Sequence, residues 1–533
     1  TGVNEVQTIS TLPGSGTFTL NFGGIATGAI AFNADAATIQ TALEAVLGTG
    51  NVLVTGAVAG PFTVTFQGAL ANMDVPTLAS STTTIVFATG TAGQGGVVVT
   101  AGAALELDNN VTISGETVAI GGTGILNAPI SALVTSFAGT GALRSISGTN
   151  TWNGSLILNG ADTNTVSVGA EAGNLTINGN IFQQVANINL LKVGSGTLET
   201  AGAGSNAYGG STFVNAGTLL LNKTGAAIAI RGTLHVGDNR GGGGADIVRY
   251  GAAAGTNQIS DVTVVIHSSG LLDLNGISDT INTGSLILTA GQDSSGELRT
   301  GGGVYSMNNI VNTIVLGGTT SGSAPAVIKG SLNLGGGERN FDVRRSGSMT
   351  HELDVQASVI NGGINKVSNG ALLLSGSGNN YAGGTSVFAG KLIVGANGAL
   401  GTTERGTLVS EGASLIFPGG VNYTAGEVIT VVGRGFAGEG VIQNFGVNSF
   451  NGNILGFEGA RDTSLLLTSQ SGSLTVGGSV TLRDVQMEVD GAGDLTLVGG
   501  IKGATLTDGV VNGFEQRFHD LSIASVTSNL PDL

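Results

Sequence analysis

The chain has 533 residues, with 94 glycines, 7 prolines and no cysteine, and its 35 acidic against 19 basic residues leave a net charge of −16. That balance excludes a nucleic-acid or anionic-lipid partner, since both require a positive footprint. The missing cysteines exclude a disulfide framework and a thiolate metal site. The glycines follow no Gly-X-Y period, so collagen is excluded. They separate short runs of Leu, Val, Ile and Thr, a pattern unlike a disordered low-complexity tract. No run of about 18 apolar residues occurs, so no membrane span is expected. The chain opens at Thr1 with neither a methionine nor a signal peptide. A processed product or a piece of something longer is therefore expected.

Residues 1–95 read as a small α+β module. Thr17-Phe18-Thr19-Leu20-Asn21-Phe22 and Pro61-Phe62-Thr63-Val64-Thr65-Phe66 alternate apolar and polar side chains, as half-buried strands do. Between them the spacing predicts a helix over 35–47. Asp35 is its N-cap, Ile39, Leu43, Val46 and Leu47 form its apolar stripe, and Gly48 stops it. The expected arrangement is ββ-α-ββ, one helix on an antiparallel sheet, with 90–96 as the exit linker.

From about Val97 the helical period disappears. Apolar runs of three residues recur instead, among them Val97-Val98-Val99, Leu156-Ile157-Leu158, Leu219-Leu220-Leu221, Leu372-Leu373-Leu374 and Leu465-Leu466-Leu467. Their spacing would also suit a β-sandwich, but internal repeats favour a solenoid. Lys192-Val193 leads to Gly196, Leu198, Gly202, Gly204 and then Tyr208. Lys366-Val367 leads to Gly370, Leu372, Gly376, Gly378 and then Tyr381. The glycines and leucine keep identical offsets and the tyrosine slips by one. A second cassette runs from Phe137-Ala138-Gly139 through Trp152-Asn153-Gly154 to Leu175, and its copy from Phe436-Ala437-Gly438 through Phe450-Asn451-Gly452 to Leu474. Glycines and leucines that persist while polar residues drift are what stacked coils require. Left-handed Gly and Asn would turn the corners, and Leu, Ile and Val would fill the lumen. With ~20–25 residues per coil and ~4.8 Å between coils, the stretch would form a rod on the order of 90 Å. The expected organisation is therefore module 1–95, solenoid 96–513 and a capping or connecting segment 514–533, where Phe514, Arg517, Phe518 and His519-Asp520 break the glycine pattern.

These cassettes resemble the autotransporter-associated, passenger-type β-strand repeats of large bacterial surface proteins. Residues 194–221 and 368–394, with the tryptophan cassette 139–181 and its copy 438–480, carry the resemblance. The stretch from Leu234-His235-Val236-Gly237-Asp238 to Leu271-Leu272-Asp273-Leu274-Asn275-Gly276 is similar to the linkers between such repeats. The resemblance spans about 97–500 and implies a right-handed parallel β-helix, export, and a secreted, extracellular or cell-surface location. The family's C-terminal translocator barrel has no counterpart here. With Asn4-Glu5-Val6-Gln7-Thr8-Ile9, Ala42-Leu43-Glu44-Ala45 and Gly60-Pro61-Phe62-Thr63-Val64-Thr65-Phe66, the combination resembles giant secreted surface proteins of planctomycete-like bacteria, in which such segments recur as tandem modules.

Candidate sites are sparse. Residues 241–249 fit the calcium nonapeptide G-G-x-G-x-D-x-U-x, with Asp246 as the ligand. One copy in so glycine-rich a chain favours a solenoid loop, and no other cofactor is expected. A polysaccharide-cleaving β-helix would need acids and bases clustered over several coils. Asp246, Asp261, Asp273 and Asp279 instead stand singly, and no catalytic residue is assigned. The densest charge, Glu338-Arg339-Asn340-Phe341-Asp342-Val343-Arg344-Arg345, reads as a solvated strand and loop. His235, His267, His351 and His519 lie far apart in unlike contexts. Trp152 and Phe450 hold matching cassette positions, which favours structural stacking over sugar binding. The expected function is a non-enzymatic structural or adhesive surface element. Its partners would be copies of itself, neighbouring modules of a longer chain, or surface glycans bound on the solenoid flank.

Overall fold

A computed structural model describes residues 2–503 apart from 24, 74, 94–95, 115, 126–138, 161–163, 316–323, 346–348, 462–463 and 484, together with short strands between 506 and 527. Among the described residues the protein is mainly β, a parallel β-solenoid with one α-helix near its N-terminus on an antiparallel sheet. It divides into two compact units, Thr1–Val265 with Ser269–Thr280, and Ile266–Ser268 with Ile281–Leu533.

The first unit opens with the α+β module. Its helix, Ala36–Leu47, is capped by Asp35, whose carboxylate accepts from the Thr38 backbone N–H at 2.8 Å. Ile39, Leu43, Val46 and Leu47 are buried, as the stripe required. The strands Val52–Gly56, Phe62–Phe66, Val6–Ile9 and Phe87–Thr91 lie in that order in an antiparallel sheet. Two details differ from the sequence reading. The run 17–22 breaks at Thr19, whose N–H turns to the Ser81 hydroxyl, so Thr17–Phe18 and Leu20–Phe22 join different small sheets. The strand Phe87–Thr91 pairs with Val6–Ile9, so Gly90 and Thr91 belong to the sheet rather than to a linker.

Parallel pairing begins at Val97–Val99, which lies against Val118–Gly121. Three sheets then wind around a lumen. On one, Leu175, Leu198, Leu219, Val248 and Leu272 stand in successive register, all fully buried. Each side chain in such a column contributes roughly 1.5–3 kcal/mol on leaving water. The corners between sheets use left-handed asparagines, among them Asn187 and Asn239. Asn side chains also serve the corner backbone: Asn150 Oδ1 accepts from the Val111 N–H at 2.8 Å.

The module does not stand apart from these coils. An outward row in register, Val98, Ala119, Ile157, Phe182 and Ala207, crosses the first sheet. From Ala119 onward this row packs into the module's own core, with Phe22 edge-on to Phe182 at 6.2 Å. Asn180 donates to the Leu47 carbonyl at 3.3 Å and Gln183 donates to that of Gly23, so helix end and hairpin are both fastened to the flank. Val98 remains 63% exposed.

The second unit repeats the scheme. Leu353, Leu372, Leu392, Leu415, Ile442 and Leu467 form its buried column. Within the segment 514–533, the strands Gln516–Arg517, Leu521–Ile523 and Val526–Thr527 pair parallel to Gln486–Asp490, Asp494–Leu497 and Ile501–Lys502. Phe514, Phe518, His519 and Asp520 lie outside the described residues.

Candidate functional site

The lysines that open the two matching repeats are buried at solenoid corners. Lys192 Nζ donates to the carbonyls of Gly194, of Gly196 at 2.7 Å and of Ala216 at 2.8 Å. Lys366 Nζ donates to Val367 at 2.8 Å, Ser368 at 2.7 Å and Ala389 at 3.0 Å. Each ammonium thus ties carbonyls of its own corner to one in the following coil. Burial pushes both lysines down to about 7. Lys223, also pushed down to about 7 by burial, reaches the Gly179 carbonyl at 3.0 Å.

The repeated tyrosines are also internal. The Tyr208 hydroxyl meets that of Thr212, and the Tyr381 hydroxyl that of Thr385, both at 2.7 Å. The tyrosine and threonine are therefore the equivalent pair, four residues apart in each copy. The one-residue slip therefore lies ahead of the tyrosine, and the glycine two residues after it stays equivalent: Gly210 faces the Ile188 carbonyl as Gly383 faces that of Gly362. Beside Tyr381 and Tyr423, Glu427 is fully buried and accepts from the Thr407 hydroxyl at 2.8 Å. Burial pushes its carboxyl up to about 7. Asp279, which accepts from the Tyr250 hydroxyl, is pushed up to about 6, again by burial.

These shifts fix a pH dependence. A carboxyl raised on folding contributes fully below its ordinary pKa, and that contribution is lost as pH rises through the folded value. A lysine lowered on folding contributes fully above its ordinary pKa and loses that contribution as pH falls through the folded value. Stability should therefore fall from about pH 4 to about pH 7 through Glu427 and Asp279, then rise from about pH 7 to about pH 10.5 through the lysines. Each group contributes at most about 1.4 kcal/mol per pH unit. Denaturant midpoints across this range check it, and Glu427→Gln should flatten the acidic limb.

The sequence-derived candidates do not converge. Asp246 begins the strand Asp246–Tyr250, 1% exposed, and burial pushes its carboxyl up to about 6. Its partner is the Ser269 side chain, with Asp238 and Lys192 close enough to act electrostatically. Among the described residues no three His, Asp or Glu side chains gather as a metal site. Asp273 pairs with Arg249 at 3.5 Å, while the next residue of that strand, Tyr250, donates to Asp279. The His235 ring stacks on Phe213, with centroids 4.5 Å apart. Burial lowers His351, whose Nδ1 lies 3.2 Å from the Thr350 hydroxyl. Trp152 and Phe450 are both 1% exposed, and Phe450 lies among Phe417 and Tyr423, so neither ring presents a face to solvent.

One groove on the second unit, of about 340 Å³, gathers side chains the sequence reading left separate. Its floor is Ala371, Ile393 and Ile416 from three successive coils, with Leu373 packed behind them. Lys391 points outward two residues before Ile393. The loop carrying Phe436 folds over this row because Ser414 holds it: the Ser414 hydroxyl donates to the Gly440 carbonyl at 2.6 Å and accepts from the Phe436 N–H at 2.9 Å. Gln443 donates to both the Ser414 hydroxyl and the Gly440 carbonyl at 3.1 Å. Arg345 and Lys391 stand over the Phe436 ring, 5.4 and 5.6 Å from its centre. Phe445 closes one end at 39% exposure. The charged stretch read as a solvated face thus contributes Arg345 to a groove.

No protein-family model and no curated protein matches the chain. Among the described residues, no helix is long and apolar enough to cross a membrane.

Proposed function

We propose that the chain is a non-enzymatic, extracellular structural element, a stalk or fibre-forming surface protein of the autotransporter-associated repeat type that self-associates. The observation that carries this reading is the destination of the residues that recur between the repeats. Lys192, Lys366, Tyr208, Tyr381, Trp152 and Phe450 all point into the coil and serve its own backbone or packing. Residues repeated for the interior of a coil maintain a stack. Strand edges support the self-association. Phe87–Thr91 borders the module's sheet, and Val97–Val99 borders the first ladder with Val97 and Val98 at 37% and 63% exposure. Such borders are templates for strand addition from a second copy or a neighbouring module.

Electron microscopy of the purified protein over a concentration series, and of the native cell envelope, tests this. Protease-resistant fibres or a surface layer are expected. A strictly monomeric protein at high concentration, or one confined to the cytoplasm, overturns it. A second reading, an adhesin binding glycans on the solenoid flank, is favoured by the groove beneath Phe436.

A further inference from the structure

We infer that the groove between Arg345, Ile393, Ile416 and Phe445 binds an acidic saccharide, a pyranose carrying a carboxylate, as found in uronic-acid chains. This rests on the adhesin reading and names its ligand. The argument starts from what the groove is built of. Its volume lies at the small end of the range that ligand pockets occupy, ~300–1,000 Å³, so it suits one sugar or the end of a chain rather than a helix.

The chemistry of the walls is divided. Ile393, Ile416 and Phe445 offer an apolar strip along successive coils, against which the C–H face of a pyranose packs. The coil spacing, ~4.8 Å, is close to the length of one such ring. At one side stand the two cations. Lys391 is already paired with Glu439 at 2.7 Å, whereas Arg345, among the described residues, makes no ion pair and rests on the Phe436 face. Its guanidinium is the donor left for a carboxylate, in the planar two-bond geometry that arginine favours. The acid lining the groove, Glu352, is engaged with the Ala371 N–H at 2.7 Å, so it is turned to the backbone.

The site is also held in advance. Ser414 and Gln443 are buried, and their bonds fix the loop that carries Phe436. A ring so fixed keeps the cations in place without ligand, which lowers the cost of binding. With a net charge of −16 on the whole chain, long-range attraction cannot collect anions. Recognition must be short-range.

Titration calorimetry of the full chain with oligogalacturonate, neutral oligogalactose of equal length, and an acidic peptide of equal charge decides the matter. Binding of the uronate is expected, about ten-fold or more tighter than either comparison. Arg345→Gln, at an exposed position, should weaken it about ten-fold, and Phe445→Thr, which leaves the cations intact, by a similar factor. Absence of uronate binding overturns the proposal. So does equal binding of the neutral sugar or of the peptide, or affinity unchanged in both variants. Fibres seen by microscopy with no uronate binding would leave the stalk standing and remove the ligand alone.

Discussion

Gly452→Ala should destabilise the second unit by about 4 kcal/mol or more, at the upper end of single-residue effects. A Cβ built at Gly452 would sit 1.8 Å from the Glu427 carbonyl oxygen in the coil beneath and 2.4 Å from Cζ of the Phe450 ring. The carbonyl is part of the main chain and receives the Asn453 N–H at 3.0 Å, so it cannot move without breaking the stack. Gly154, its counterpart in the tryptophan cassette, is tighter still, 1.5 Å from the Glu116 carbonyl oxygen. Gly426 supplies the contrast. Its backbone is not left-handed and nothing lies within 4 Å of an added Cβ, so Gly426→Ala should be neutral or slightly stabilising, by about 0.5 kcal/mol. Urea midpoints of the two variants measured side by side give the answer. Equal midpoints would mean that the coils are not in contact at this corner.

The second large effect is expected at Lys366→Met, a loss of about 2–5 kcal/mol. Methionine keeps the volume and flexibility of the stem but donates nothing. The carbonyls of Val367, Ser368 and Ala389 then lose a shared donor, and each unsatisfied buried acceptor costs about 1–3 kcal/mol. Part of this is offset because a charge no longer needs to be buried. Lys329→Met is the control: Lys329 forms a half-buried pair with Glu297 at 3.1 Å, and its loss should cost no more than about 1 kcal/mol. Added salt should abolish the smaller effect and spare the larger one. A Lys366→Met protein as stable as the parent would show that the corner carbonyls do not depend on the ammonium.

Much of this architecture can be read from the amino-acid order, because local rules and repetition both leave marks there. The helix is announced by Asp35, a stripe at Ile39, Leu43 and Leu47, and Gly48. The lumen is announced by Leu198 and Leu372 standing at one offset from two lysines. The lysines' work was not legible, since their acceptors are main-chain carbonyls, which every residue possesses. Nor was the docking of the module, because Ala119, Ile157 and Phe182 look like any strand residues until their register aligns them into an outward row. The groove combines Arg345, Ile393, Ile416, Phe436 and Phe445 from separate windings, and pairing alone brings them together. Fixed-offset comparison also misplaced the slip in the lysine repeat. It moved the tyrosine alone, whereas in the structure the coil is one residue shorter ahead of Tyr381, and Tyr381, Gly383 and Thr385 all move together.

Since each winding bonds to the one before and the one after, the stack is modular in a strict sense. Deleting or duplicating a complete turn leaves every neighbour with an equivalent face to meet, whereas one extra residue within a strand such as Gly390–Val394 would turn Leu392 outward and Lys391 and Ile393 inward. Length can therefore change in whole-turn steps through copying of the coding sequence, while small insertions are confined to the corners.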